Sequence, residues 1–308
     1  MSTLIEEGSR TETRRRRSVL RALLLEIRPH QWLKNALLIL PLFLAHRLSD
    51  LDRLTDVALA FVAFSLGASA GYVINDLIDL EADRRHPVKR HRMIATGEVS
   101  RTAAIVLIAV LGVAALAVAV LVSPAVAGWL AAYAVISLTY SLFFKRAVVA
   151  DLVILASLYT LRILAGGSAA RVEVSDWLLA FSLFFFFNLA VVKRCADLRR
   201  TELAPGERLP GRPYSAADYP LLQAAGVASG LVSVVVLALY LNGDRVRLLY
   251  SRPELLWLVS PILLYWIVRA WLLTSRGEVA DDPILFAVKD PVSLLTAALV
   301  AVLLVVAV

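Results

Sequence analysis

The chain has 308 residues, 59% of them hydrophobic and 19% charged, with a mean hydropathy of +0.74. Soluble domains hold about 45–50% apolar residues on a scale that also counts glycine, so one water-facing core cannot hide this surplus and lipid must solvate it. Only 14 Gly and 12 Pro exclude collagen-like and low-complexity chains, and the lone Cys195 excludes an intrachain disulfide. Thirty-two Lys and Arg against 25 acids give +7 and a pI near 9.7. Arg14, Arg15, Arg16 and Arg17 precede the first apolar stretch with no aromatic residue interleaved. They are read as a topology signal facing the cytoplasm and anionic lipid, not as a nucleic-acid surface, and no nucleic-acid partner is expected. No cleavable signal peptide is expected either, because the apolar run starts after Trp32 without a small-residue cleavage site behind it.

In chain order, apolar runs near the bilayer-crossing length of about 20 residues lie at about 32–48, 56–76, 102–122, 125–144, 147–167, 176–193, 219–241, 254–273 and 291–308. The pattern predicts an all-α, polytopic membrane protein: one bundle of nine transmembrane helices over residues 1–308, with a basic cytoplasmic arm at 1–27. The third and ninth runs are almost pure Ala, Val, Leu and Ile and are expected to face lipid. The second, fourth, fifth and sixth carry polar groups and are expected to face an interior cavity. Basic residues alternate between loops: Arg84, Arg85, Lys89, Arg90, Arg92 and Arg101 follow the second run, none lies near Ser123, and Lys193, Arg194, Arg199, Arg200, Arg208 and Arg212 follow the sixth. Even-numbered spans therefore end in the cytoplasm, with the N-terminus inside and the C-terminus outside. The two longest polar stretches, about 77–101 and 194–218, become cytoplasmic cap loops. A plasma (inner) membrane location follows from this plan.

The second span ends in Asn75-Asp76-Leu77-Ile78-Asp79-Leu80-Glu81-Ala82-Asp83. In a helix Asn75, Asp79 and Asp83 fall at i, i+4 and i+8 and stack hard oxygens on one face. Such a face suits Mg²⁺, which takes one or two carboxylates and completes its shell with water and substrate phosphates. Acidic residues are also ordinary at a solvated helix end, but ionisable groups at the end of an apolar span are usually functional. Arg84, Lys89, Arg90 and Arg92 follow within a few residues. As a group they read as a phosphate site beside the metal. Individually each could equally be positive-inside charge.

Asn-Asp-x-x-Asp-x-x-x-Asp followed by a basic stretch and Ala95-x-Gly97 resembles the first aspartate-rich motif of the UbiA superfamily of intramembrane prenyltransferases, a nine-helix α-bundle. Most of that superfamily uses a prenyl diphosphate donor and a second Asp-x-x-x-Asp pair. Here the corresponding region reads Lys193-Arg194-Cys195-Ala196-Asp197-Leu198-Arg199-Arg200, one carboxylate among four cations. That departure resembles the decaprenyl-phosphate phosphoribosyltransferase branch. So do Arg28-Pro29-His30-Gln31-Trp32-Leu33-Lys34-Asn35, Tyr140-Ser141-Leu142-Phe143-Phe144-Lys145, and Asp282-Pro283-Ile284-Leu285-Phe286-Ala287 with Asp290. The resemblance implies phosphoribosyl pyrophosphate as donor, a polyprenyl phosphate as acceptor and a place in cell-wall arabinan precursor synthesis. Asp79, Asp83, Lys193, Arg194 and Asp197 would be catalytic, and Lys34, Asn35, Tyr140 and Lys145 would bind substrate.

Arg162, mid-span, is expected to pair with a phosphate or a buried carboxylate, since a bare cation there costs at least about 2.5 kcal/mol. Asp151 stays open between a site residue and an interfacial acid. His30, His46, His86 and His91 are too scattered for zinc, and Cys195 is read as a bystander. The rival readings are an aromatic-acid prenyltransferase with a prenyl diphosphate donor and an anion transporter. The one-sided charge argues against transport, which needs access from both faces. Membrane lipid is an expected partner, and a homo-oligomer is compatible with the sequence.

Overall fold

The computed structural model describes residues 22–85, 89–201, 203, 204, 206–279 and 282–308. The basic run Arg14–Arg17 and His86 lie outside the described residues. The described chain is helical, with eight long elements: α1 (Leu51–Ile78), α2 (Arg101–Val122), α3 (Pro124–Leu142), α4 (Ala150–Ala170), α5 (Asp176–Arg200), α6 (Tyr219–Leu241), α7 (Val259–Ser275) and α8 (Pro291–Val306). Among the described residues seven helices are long and apolar enough to cross a membrane. The count reaches eight if α8 and the short helix Pro283–Lys289, bent against it by 84°, form one span.

The expected span at 32–48 takes another form: a 3₁₀ segment over Pro29–Ile39 followed by a five-residue helix, Leu40–Leu44. Pro29, Gln31, Lys34, Asn35 and Pro41 interrupt the apolar run, and proline removes the backbone donor that an uninterrupted α-helix needs. At ~2.0 Å rise per residue a 3₁₀ stretch of this length is still extended. Among the described residues this segment is one reason the helix count stops at seven or eight rather than the expected nine.

The described chain divides into two compact units, one holding residues up to Ala36 with Thr55–Leu138, the other Leu37–Leu54 with Thr139–Val308. In the first, α2 starts where the Ser100 side chain accepts from the Ala103 N–H and stops before Pro124. Its buried face is mostly small, Ala104, Ala115 and Ala119 with Leu111, while Ile105, Val106, Val110, Val113 and Leu121 point outward. That is the distribution for a helix packed on one side and bathed in lipid on the other. Ser65 and Ser69, one turn apart on α1, accept from the Asn35 amide and the Trp32 indole, each at 3.0 Å. Ser69 also donates to the Ile27 carbonyl at 2.7 Å. These bonds fasten residues 27–35 along α1.

In the second unit α5 packs against α4 on one side and α6 on the other. Gly226 on α6 lets the Trp271 ring close on the helix backbone, where a Cβ would collide with it. The Trp271 indole then donates to Asn188 Oδ1 on α5 at 2.8 Å. Gly166 on α4 likewise leaves room for the backbone of Leu38. These close approaches lie in the core around Phe186, Leu189, Val191, Ile267 and Trp271.

Candidate functional site

Each unit carries a buried charged cluster. In the first unit α1 ends at Ile78, Asp79 is a turn residue, and a short helix runs Leu80–Arg85. Helical hydrogen bonds bridge the break, from Asp79 N–H to Asn75 O (2.9 Å) and from Asp83 N–H to Asp79 O (2.8 Å). The i, i+4, i+8 register of Asn75, Asp79 and Asp83 therefore survives. Their surroundings differ: Asp83 is buried, whereas Asn75 and Asp79 are half-buried.

Arg92 meets this ladder: its Nη1 donates to Asp83 at 2.6 Å and to Asp76 at 2.8 Å. Arg28 pairs with the second oxygen of Asp76 and stacks over Tyr72 at 5.4 Å. Its positive φ of +50° separates the helical turn at 22–26 from the 3₁₀ segment. Glu26 is also buried, and its Oε1 has no hydrogen-bond partner among the described residues. Burial, then a hydrogen bond and the negative charge of Asp76, push the Glu26 carboxyl up to about 8, against the pull of Arg28 and Arg92. Glu26 thus keeps a proton at neutral pH, beside an Asp76 carboxylate that two arginines hold. Sequence reasoning does not single out Arg28, Asp76 or Glu26 as site residues. Asp76 lies inside the motif but off its i, i+4 face, and no spacing links Glu26 to it.

Of the other expected residues, Arg84 pairs with Glu81 at 3.3 Å and donates to the Ala95 carbonyl. Arg90 contacts neighbouring His91, and Lys89 is exposed. Asn35 is buried against Ser65, and Lys34 is half-buried. Among the described residues no three His, Cys, Asp or Glu side chains gather at metal-ligand distance. Asn75, Asp79 and Asp83 still fit Mg²⁺ in kind, because they are hard oxygens on one face and that ion needs only one or two protein carboxylates.

In the second unit Arg194 is buried, donating to Asp151 at 2.9 Å and to Asp197 at 3.2 Å. Asp151, fully buried at the start of α4, accepts a second bond from the Tyr214 hydroxyl at 2.6 Å. Burial and the neighbouring carboxylate push the Tyr214 phenol well above its ordinary range, so it stays a neutral donor. Lys193 is half-exposed and pairs with Asp282 at 3.1 Å. Tyr140 is buried and bonded to Arg212 at 2.6 Å, and the Lys145 carbonyl accepts from the same guanidinium at 3.3 Å. Asp290 takes two bonds from Arg269, at 2.7 and 3.0 Å, and caps α8 through Ser293. Arg162 is buried, donates to the Leu158 carbonyl of its own helix at 2.6 Å and lies over Tyr159. Asp151 thus belongs with Arg194, Asp197 and Tyr214. Arg212 and Tyr214 have no sequence signal beyond their place in a polar loop.

In the first unit the half-buried oxygens of Asn75 and Asp79 can take a hard cation, and in the second the half-exposed Lys193 can meet an anion. The sequence profile of the UbiA prenyltransferase family matches residues 36–289. An uncharacterized protein y4nM of Sinorhizobium fredii is 38% identical over 277 residues, 90% of this chain and 54% of the relative, so the chain spans about half of its length. Nodulation protein NoeC of Azorhizobium caulinodans is 36% identical over 87% of both chains. The decaprenyl-phosphate phosphoribosyltransferase of Mycobacterium tuberculosis is 38% identical over 180 residues, 57% of this chain and 60% of that one. In solved structures the fold recurs in a UbiA homolog from Archaeoglobus fulgidus bound to GPP and Mg²⁺, with a TM-score of 0.67 at 17% identity over 92% of this chain and 97% of that one. The profile covers most of the chain and the helical fold agrees with it: this protein belongs to the UbiA prenyltransferase family.

Proposed function

We propose that the chain transfers a 5-phosphoribosyl group from phosphoribosyl pyrophosphate to a polyprenyl phosphate and releases diphosphate. The observation that carries this reading is the cation-rich end of α5, which itself bears Lys193, Arg194, Arg199 and Arg200 but only one carboxylate, Asp197. A prenyl diphosphate and its metal favour paired carboxylates there, whereas a donor with a 5-phosphate besides its diphosphate needs more positive charge. The phosphoribosyltransferase relative supports the same choice.

In this reading Asn75, Asp79 and Asp83 would hold Mg²⁺, which when bound neutralises charge on the leaving diphosphate. Arg84, Lys89 and Arg90 add diffuse positive charge, while Arg92 keeps Asp83 oriented. Lys193 binds donor phosphate, and Lys34, Tyr140 and Lys145 serve the remaining phosphate charge. The C1–O bond to diphosphate breaks with its electron pair leaving on oxygen, and an acceptor phosphate oxygen forms the new C1–O bond. The charge that develops on the sugar is oxocarbenium-like. The acceptor oxygen is already anionic, so no base removes a proton, and catalysis rests on positioning and leaving-group stabilisation. The basic loops support a cytoplasmic face for this chemistry in the plasma membrane.

Purified protein in lipid should convert labelled phosphoribosyl pyrophosphate and decaprenyl phosphate to a lipid-linked product and diphosphate, dependent on Mg²⁺. Prenylation of an aromatic acid from a prenyl diphosphate, with phosphoribosyl pyrophosphate ignored, would replace this reading with the ordinary prenyltransferase one.

A further inference from the structure

The polar segment between α5 and α6 folds into a small turn. Arg208 and Ser215 form an antiparallel bridge, Leu209 N–H donates to Tyr214 O at 2.8 Å, and Arg212 N–H donates to Leu209 O at 3.0 Å. Gly211, at φ +71°, turns the tip. Leu209, Pro213 and Tyr214 are buried by this fold, while Arg212 is half-buried and Arg208 exposed.

The Tyr214 hydroxyl is the fastening. It donates to Asp151 Oδ1 at 2.6 Å and accepts from the Val149 N–H at 2.9 Å. Val149 sits at φ +65°, ψ −39°, and the bond from Ala150 N–H to Val148 O at 2.7 Å closes a γ-turn around it. A β-branched residue rarely enters this region and persists there only when its surroundings hold it. The holding group comes from the 208–215 turn, and the Arg194 guanidinium, 5.6 Å over the Tyr214 ring, braces it from behind.

Arg212 gains most from this fastening. Its Nη1 donates to the Tyr140 hydroxyl at 2.6 Å and to the Lys145 carbonyl at 3.3 Å, with the guanidinium 5.6 Å over the Tyr140 ring. Those partners are neutral, and among the described residues no carboxylate pairs with Arg212. Among the described residues its charge thus meets no carboxylate while its place is fixed, the condition for a strong anion contact. We propose that Arg212, beside Tyr140 and Lys145, is a seat for a phosphate or diphosphate group of the substrate, and that Tyr214 is the positioning residue that presents it. The choice of phosphoribosyl pyrophosphate as the probe rests on the function proposed above, whereas the coupling between Tyr214 and Arg212 does not.

The test uses the full chain in lipid nanodiscs and measures binding of phosphoribosyl pyrophosphate to wild type, Tyr214→Phe, Arg212→Gln, Arg212→Lys and the double variant Tyr214→Phe/Arg212→Gln. Tyr214→Phe keeps the ring and its packing and removes only the hydroxyl. Each single variant except Arg212→Lys should raise Kd about tenfold, the double variant no further than Arg212→Gln, and Arg212→Lys should recover part of the loss. A readout without ligand accompanies it: Arg212 precedes Pro213 and resists trypsin, so cleavage in the turn reports Arg208, and Tyr214→Phe should speed that cleavage several-fold. Wild-type Kd and wild-type cleavage in Tyr214→Phe, or fully additive losses in the double variant, overturn the proposal. If wild type binds a prenyl diphosphate and not phosphoribosyl pyrophosphate, the function reading fails, and the same set of variants decides the coupling with that ligand.

Discussion

Arg92 donates to Asp76 at 2.8 Å from sixteen residues away, and the same nitrogen reaches Asp83 at 2.6 Å. One side chain thus ties the end of α1 to the short helix that follows it. Arg92 is about a quarter exposed while both carboxylates are buried. Among the described residues, removing it leaves Asp83 without a cation partner and Asp76 with Arg28 alone. The loss should fall between the ~1 kcal/mol of an exposed pair and the ~3–5 kcal/mol of a fully buried one. Arg92→Met should lower the melting temperature in detergent accordingly, with Arg92→Lys in between; an unchanged melting temperature in Arg92→Met would show that solvent replaces the bridge.

Asp79 and Asp83 share a helix face but not an environment, and their alanine variants should separate. Asp79 is half-buried, so Asp79→Ala should abolish turnover by removing a metal oxygen, with unfolding within about 0.5 kcal/mol of wild type. Asp83→Ala removes a metal oxygen and a partner of Arg92, so it should lose turnover and stability together. Near-wild-type, Mg²⁺-dependent turnover in both variants would defeat the metal assignment.

Glu26 makes stability depend on pH across an unusual window. Its carboxyl is raised from an ordinary 4.5 to about 8 in the fold. Between those values the folded chain holds a proton that the unfolded chain has released, so stability falls as pH rises. The contribution is complete below about pH 4.5 and gone above about pH 8. The charged groups around it are Asp76, Arg28 and Arg92. Melting temperatures from pH 5 to 9 should decline more steeply for wild type than for Glu26→Gln, which carries no titrating proton. Parallel curves for the two proteins would remove Glu26 as the source.

The membrane class and most helices were legible because both rest on local quantities: apolar run length, and stops such as Ser123-Pro124. The Asn75, Asp79, Asp83 register was legible for the same reason, and it survives a helix break at Asp79. The 3₁₀ form of the first apolar run was not legible, because Pro29, Pro41 and the polar side chains between them leave apolar content high while disrupting i→i+4 bonding. The pairings were not legible at all. Asp151 meets Arg194 across 43 residues and Tyr214 across 63, and Glu26 meets Asp76 from fifty residues away in sequence. Such contacts arise from packing, for which a single sequence carries no periodic signal.

Lys193 and Arg194 look equivalent as neighbours in a basic stretch, but α5 turns them into different environments. The Lys193 side chain is 42% exposed and shares its charge with Asp282, whereas Arg194 is 3% exposed and bonded to Asp151 and Asp197. A substrate phosphate can reach the first without dismantling the fold. Reaching the second requires breaking a buried pair with Asp151, itself fully buried. Lys193→Gln should therefore lower kcat/KM for phosphoribosyl transfer by about 10²-fold, as loss of a charge-stabilising donor does, and change unfolding by less than about 1 kcal/mol because its pair is partly solvated. Arg194→Gln should destabilise by ~3–5 kcal/mol, the consequence of leaving Asp151 charged and unpaired in the interior, and its activity should fall through loss of folded protein. Pairing it with Asp151→Asn should restore much of that stability, since the double variant leaves no buried charge behind. If Arg194→Gln instead melts like wild type and loses turnover, Arg194 contacts substrate directly and replaces Lys193 as the cation on the donor phosphate.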